Sequence, residues 1–202
     1  MDMTRGLDFN TFKNISKVPY TIVMDYLFYN ENIWKLLYYV TEEDGNPISR
    51  PLERPNLKKK KKRSLIYNGI DDVNKYRVFL SNVPLSEETT GQVQQIRIYR
   101  DRVLPKDAFM SNATWTFELP CHNAISTIIV DNIIVNRVDL LQEEILETLN
   151  GKEIGGIGTL MFSYDSPQRM SDRSDFFRFN TQFSGYIFNM SCNWNGNRGG
   201  MC

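Results

Sequence analysis

Thr114-Trp115-Thr116-Phe117-Glu118-Leu119-Pro120-Cys121 is the stretch that decides the fold class. Trp115, Phe117, Leu119 and Cys121 fall on one face of an extended chain, and Thr114, Thr116 and Glu118 fall on the other. Apolar and polar residues alternating at a period of two mark a half-buried strand with one polar side. The same period runs through Tyr76, Val78 and Leu80, through Ile96 and Ile98 after Val93, and into a final strand around Phe183 to Met190. Downstream of the decisive strand the period switches to helical. Val138, Leu141, Ile145 and Leu149 form one stripe, and Asn150-Gly151 supplies a left-handed stop. The apolar stretch Ile128 to Val135 between them fits no single period. Strand-like GTLMFSY follows a glycine cluster.

Upstream, Val18, Ile22, Val23, Tyr26 and Leu27 recur at helical spacing, with Pro19 tolerated in a first turn. Asn30 offers a cap for a second helix, in which Ile33, Leu36, Leu37 and Val40 share a face. The expected class is α+β: N-terminal helices, an antiparallel sheet with one helix packed across it, long polar loops and flexible termini. The chain divides into a helical segment (1–40), a charged connection (41–72), the α+β core (73–192) and a loose tail (193–202), forming a single domain overall.

Charge is unevenly spread. Lys and Arg number 24, Asp and Glu also 24, and the net charge is zero. Six of the basic residues are consecutive: Lys58, Lys59, Lys60, Lys61, Lys62 and Arg63. Taking these six from 24 leaves 18 basic groups against 24 acidic ones, so an acidic body with a balance of −6 carries one cationic cluster. That excludes a protein basic all over, and permits a local device for phosphate contact. A block of like charge is more commonly a solvated, self-repelling loop, and the sequence favours that reading. No aromatic residue interleaves the run and no recognition helix flanks it, which argues against base-specific reading. A membrane anchor would need an apolar signal beside it.

Catalytic and metal chemistry find little to stand on. Cys121, Cys192 and Cys202 cannot all pair within one chain, and with a single His and no CxxC they make no metal set. Reduced thiols in a cytosol-like compartment are expected. Cys121 and His122 adjoin, but strand neighbours point to opposite faces, so they do not converge as nucleophile and base. Gly155-Gly156-Ile157-Gly158 stands between a helix and a strand, the reverse of the order in a phosphate cradle, and reads as a turn. There is no signal-peptide core, no apolar run long enough to span a membrane, and no cofactor motif. Neither an enzyme nor a cofactor is expected. Trp34 and Trp115 are core aromatics, while Trp194 in the Gly- and Asn-rich tail is a candidate arm contact. Arg169, Asp172, Arg173, Asp175 and Arg178, in the polar loop Asp165 to Thr181, suit an inter-subunit or channel loop, or an ordinary wet loop.

Five segments together resemble a known family: YLFYNENIWKLLYY (26–39), FELPCHN (117–123), ILETLNGK (145–152), IGGIGTLMFSYDSP (154–167) and FSGYIFNM (183–190). Their order resembles that of tailed-bacteriophage neck proteins, the tail-terminator or head–tail joining type, from about Asp25 to Met190. The resemblance implies a non-enzymatic virion subunit, assembled in the host cytoplasm into a ring, sixfold for a terminator. Its partners would be further copies of itself, head connector or adaptor proteins, tail tube or sheath proteins, and DNA passing non-specifically through the channel, with no membrane. A head-proximal adaptor or stopper layer, twelvefold beside the portal, is the neighbouring alternative. A small non-specific DNA-binding accessory protein acting through Lys58 to Arg63 is the alternative from another class.

Overall fold

The computed structural model describes residues 15–69, 72–81, 91–105, 110–154, 158–162, 168–169 and 182–195. The Thr114–Cys121 alternation lies within a 13-residue strand, β3 (Met110–His122). It is flanked by β2 (Ile96–Pro105) and by β9 (Phe183–Asn195), both antiparallel to it. The sheet order is β1-β2-β3-β9-β7-β6, with β1 at Val78–Phe79, β6 at Lys152–Ile154 and β7 at Gly158–Phe162; β8 (Gln168–Arg169) also pairs with β9. The α+β expectation holds in this form. One detail differs: the two-residue β1 pairs parallel to β2, at the edge of an otherwise antiparallel sheet.

Register explains the core. Trp115 lies opposite Met190, and Phe117 opposite Phe188, whose rings stack 4.9 Å apart. Against this face packs α4 (Arg137–Leu149), burying Val138, Leu141, Ile145 and Leu149 as the helical stripe requires. Asn136 caps it, its side chain accepting from the Val138 N–H at 2.8 Å. Gly151, at φ +74°, makes the left-handed exit, and its N–H reaches the Leu160 carbonyl.

The N-terminal segment is irregular but helical in sense. A short turn α1 (Val18–Thr21) runs into a π turn (Ile22–Tyr26) and a 3-10 turn (Leu27–Tyr29). Asn30 then caps α2 (Glu31–Tyr38), accepting from the Asn32 and Ile33 N–H groups. Ile33, Trp34, Leu36 and Leu37 are buried, and one core cluster joins these helices to α4 and the sheet.

Several expectations need correction. The polar side of β3 is not solvated: Thr114, Thr116 and Glu118 are buried as fully as much of the core. The stretch Ile128–Val135 is a hairpin, β4 (Thr127–Val130) and β5 (Ile133–Asn136), forming its own two-stranded sheet. Its turn is Asp131-Asn132 at φ 50° and 65°, the left-handed pair a two-residue hairpin needs and that Asp and Asn tolerate. The long connection is not open coil. It contains a 3-10 turn (Pro51–Glu53) and α3 (Lys59–Ser64). It is tied down by Lys35 Nζ to the Leu52 carbonyl and by Tyr39 Oη to the Pro55 carbonyl. Finally, the tail is not loose from Asn193. Because β3 offers a 13-residue template, β9 continues to Asn195, and Trp194 sits opposite Ser111.

Candidate functional site

From Lys59 the basic run becomes the helix α3, with Lys58 at its cap. Lysine is a good helix former, yet six adjacent cations repel each other. No acidic residue stands in the first turn, and Lys58 at the cap position has no side-chain cap bond. The helix is held instead by its inward residues. Leu57 and Leu65 are buried, and Lys62 is 3% exposed. Lys62 Nζ donates to the Phe28 carbonyl at 2.9 Å and to Glu31 Oε1 at 2.6 Å, lying over the rings of Phe28 and Trp34. Of the six residues that could serve phosphate contact, Lys62 is therefore withdrawn: its ammonium is spent inside the protein.

Lys58, Lys59, Lys60, Lys61 and Arg63 remain exposed. None of these five has an ion-pair partner among the described residues. Helical geometry puts Lys60 opposite Lys62, and Lys59 and Arg63, four apart, on one flank. Lys61 takes the other flank, its Nζ 4.5 Å from the Tyr38 ring centroid. Tyr29, next in the chain to the Phe28 that holds Lys62, is 71% exposed, its ring edge-on to Phe28. The run thus gains neighbouring aromatics that it lacked in sequence.

Arg137, the first residue of α4, is fully buried. Its Nε donates to the Ile125 carbonyl at 2.8 Å, Nη1 to Leu36 and Tyr39 at 2.9 and 3.2 Å, and Nη2 to Ile48 at 3.1 Å. One guanidinium so joins the end of α2, the connection and the root of the hairpin. Burial pulls its pKa down to about 10, which still leaves it charged at neutral pH. A third buried cation, Arg97, meets Glu118 across the β2–β3 register at 3.2 Å. Tyr99 Oη donates to the other Glu118 oxygen at 2.7 Å. Desolvation lowers Arg97 and raises Tyr99 from their ordinary values. Neither Arg137 nor Arg97 was singled out from sequence. Their carbonyl and cross-strand partners become visible once the register is known.

Cys121 Sγ lies 3.5 Å from the His122 carbonyl, and the His122 ring turns away to accept from the Ala124 N–H. Thiol and imidazole do not meet. Desolvation pushes the Cys121 and Cys192 thiols up to about 12. Burial thus keeps the reactive thiolate form scarce at neutral and mildly alkaline pH. In a Cys202→Ser background, both thiols are expected to stay inert to a disulfide reagent near pH 8 and to react fully in denaturant. Prompt labelling of the native protein would contradict their burial.

A shallow cleft of about 400 Å³ is lined by Glu42, Pro47, Ile48, Ser49, Arg50, Glu53 and Arg54. Its charges are matched within it, Arg50 with Glu53 and Arg54 with Glu42. The hairpin rises beside it, with Ile129 N–H on the Ser49 carbonyl and Arg50 on Asn132 Oδ1. Ile128 roots the hairpin in the core, whereas Ile133 and Ile134 are 64% and 73% exposed, one on each face.

Of the polar loop singled out in the sequence, Arg169 falls in β8 opposite Tyr186. Asp172, Arg173, Asp175 and Arg178 lie outside the described residues, as do Gly155, Gly156 and Ile157. Gly158 opens β7 at φ +105°, in keeping with a turn before a strand.

No curated protein and no solved structure gives a significant match to the chain. A family model described as YomW matches residues 30–191, from the cap of α2 to Ser191 within β9, and so includes α3, the hairpin and α4. On that match, covering most of its length, the chain belongs to the YomW family, a phage-associated family.

Proposed function

We propose that this chain is a structural subunit of a tailed-phage virion, a neck or tail-terminator protein that closes into a ring and joins the tail tube to the head connector. The reading is supported by phage association and by the order of elements, and one observation carries it. The β4–β5 hairpin stands apart from the main sheet with isoleucine on both faces. Its outer strand, β5, pairs with no strand but β4 among the described residues. An apolar arm with an open edge invites a further strand. If each arm seats on the next copy, the contact is heterologous, and rotation closes it into a ring. The ring would stand in the virion neck and assemble in the host cytoplasm, with the connector above and the tail tube below.

Electron microscopy of the purified protein should show rings, sixfold for a terminator. Ile134→Lys should abolish them, weakening association at least about tenfold, a cost of about 1.4 kcal/mol. Ile134 is exposed, so the melting temperature should move by no more than about 2 °C. In the phage, loss of the chain should leave heads and tails unjoined. Normal joining in its absence would remove the neck reading.

A further inference from the structure

We propose that α3 is a contact site for the phosphate backbone of duplex DNA, formed by Lys58, Lys59, Lys60, Lys61 and Arg63 and displayed by the buried Lys62. The site stands on α3 alone and holds whether or not the chain closes a ring. Like charges on a flexible loop relieve their repulsion by spreading apart. Here they cannot, because Lys62 fixes the helix to Phe28 and Glu31. Lys59, Lys60, Lys61 and Arg63 are held within about one and a half turns with Lys58 at the cap, and no carboxylate is paired to them among the described residues. The rest of the chain is acidic on balance, so this surface is a local reversal of sign. Such a surface is complementary to a dense polyanion.

The dimensions favour duplex DNA. A six-residue helix is about 9 Å long, and duplex DNA carries one charge per about 1.7 Å of axis. Lys59, Lys60 and Arg63 alone can therefore reach about three phosphates without distorting either partner. Lys61 is partly engaged with Tyr38. The exposed residues act as charges on phosphates, which carry no sequence information, so binding is expected to be independent of sequence. An anionic membrane is less suited, because the exposed side of α3 presents cations and no apolar residue to insert.

The test is fluorescence anisotropy with the full-length protein and a labelled duplex of about 20 bp, at about 50 and 200 mM salt. With three phosphates neutralised, affinity should fall about 40-fold between those concentrations. Replacing Lys58, Lys59, Lys60, Lys61 and Arg63 together with Gln should weaken binding at the lower salt at least about tenfold and flatten the salt slope. Replacing the four lysines with Arg should keep both the affinity and the slope. Unchanged binding by the Gln variant would overturn the site. So would binding to phosphatidylserine vesicles with none to DNA, which would assign the helix to a membrane. Loss of self-association in the Gln variant without loss of DNA affinity would assign it to a subunit contact. A ring that forms but binds no DNA would remove this site and leave the neck reading standing.

Discussion

Arg137→Met should destabilise the protein by about 5 kcal/mol, enough to unfold a domain of ordinary stability. Replacing a buried ion pair with apolar residues is often harmless, because both charges leave together. That escape is closed here. The acceptors are main-chain carbonyls of Ile125, Leu36, Tyr39 and Ile48, which no substitution removes. Met leaves three buried acceptors and a part-buried one short of a donor, at about 1–3 kcal/mol for each buried one, partly relieved by relaxation or entering water. Two of them, Leu36 and Tyr39, are at the C-terminal end of α2, where the dipole is negative and a cation is most effective. Arg137→Lys keeps the charge but lacks the planar fork, and should cost about 3 kcal/mol. Urea denaturation of both variants checks the order. A Met variant within about 1 kcal/mol of the parent would mean that the carbonyls find other donors and that Arg137 is no hub.

The way the hub is built shows which parts of this fold a single sequence discloses. Period-two alternation in Thr114–Cys121 and the stripe Val138–Leu149 each gather apolar residues on one face, a local pattern, and both are found where they were expected. The same holds for the Asn30 cap, whose partners are two and three residues away. Arg137 instead reaches carbonyls 89, 98 and 101 residues distant, and carbonyls carry no residue identity to read. The hairpin escaped assignment for a different reason. Its Ile and Val residues face both ways, so neither period appears. Asp131-Asn132 was a usable turn signal that the surrounding apolar run obscured. Burial of Thr116 and Glu118 breaks the rule that a polar strand face is a wet one. The cross-strand partners Asn189 for Thr116, and Arg97 with Tyr99 for Glu118, make that burial tolerable. For the basic run, composition located the charges but could not separate the residue that folds inward from the five that do not.

Lys62 is where that separation has its largest measurable consequence. Lys62→Met retains the apolar stem over Phe28 and Trp34 and removes the ammonium. The Phe28 carbonyl and Glu31 then lose their donor, and Glu31 Oε2 is already buried without a hydrogen-bond partner. Removing one partner of a fully buried pair costs about 3–5 kcal/mol. The Glu31 side chain is 34% exposed, so water can screen part of the stranded charge, and about 3 kcal/mol is expected. Pairing Lys62→Met with Glu31→Gln should recover about 1–2 kcal/mol, because the isolated carboxylate is gone. The single variant should also release α3 from the Phe28–Glu31 shelf. Five cations freed from a fixed helix spread apart, so DNA affinity should fall even though all five remain. A further Glu31→Gln substitution should not restore it, because the helix still lacks its anchor. Two measurements on the same variants, urea denaturation and anisotropy, therefore separate an anchor from one more surface charge. If Lys62→Met left stability unchanged, or lowered affinity no more than a Gln substitution at Lys60 does, then Lys62 would be an ordinary member of the run and α3 would owe its shape to Leu57 and Leu65 alone.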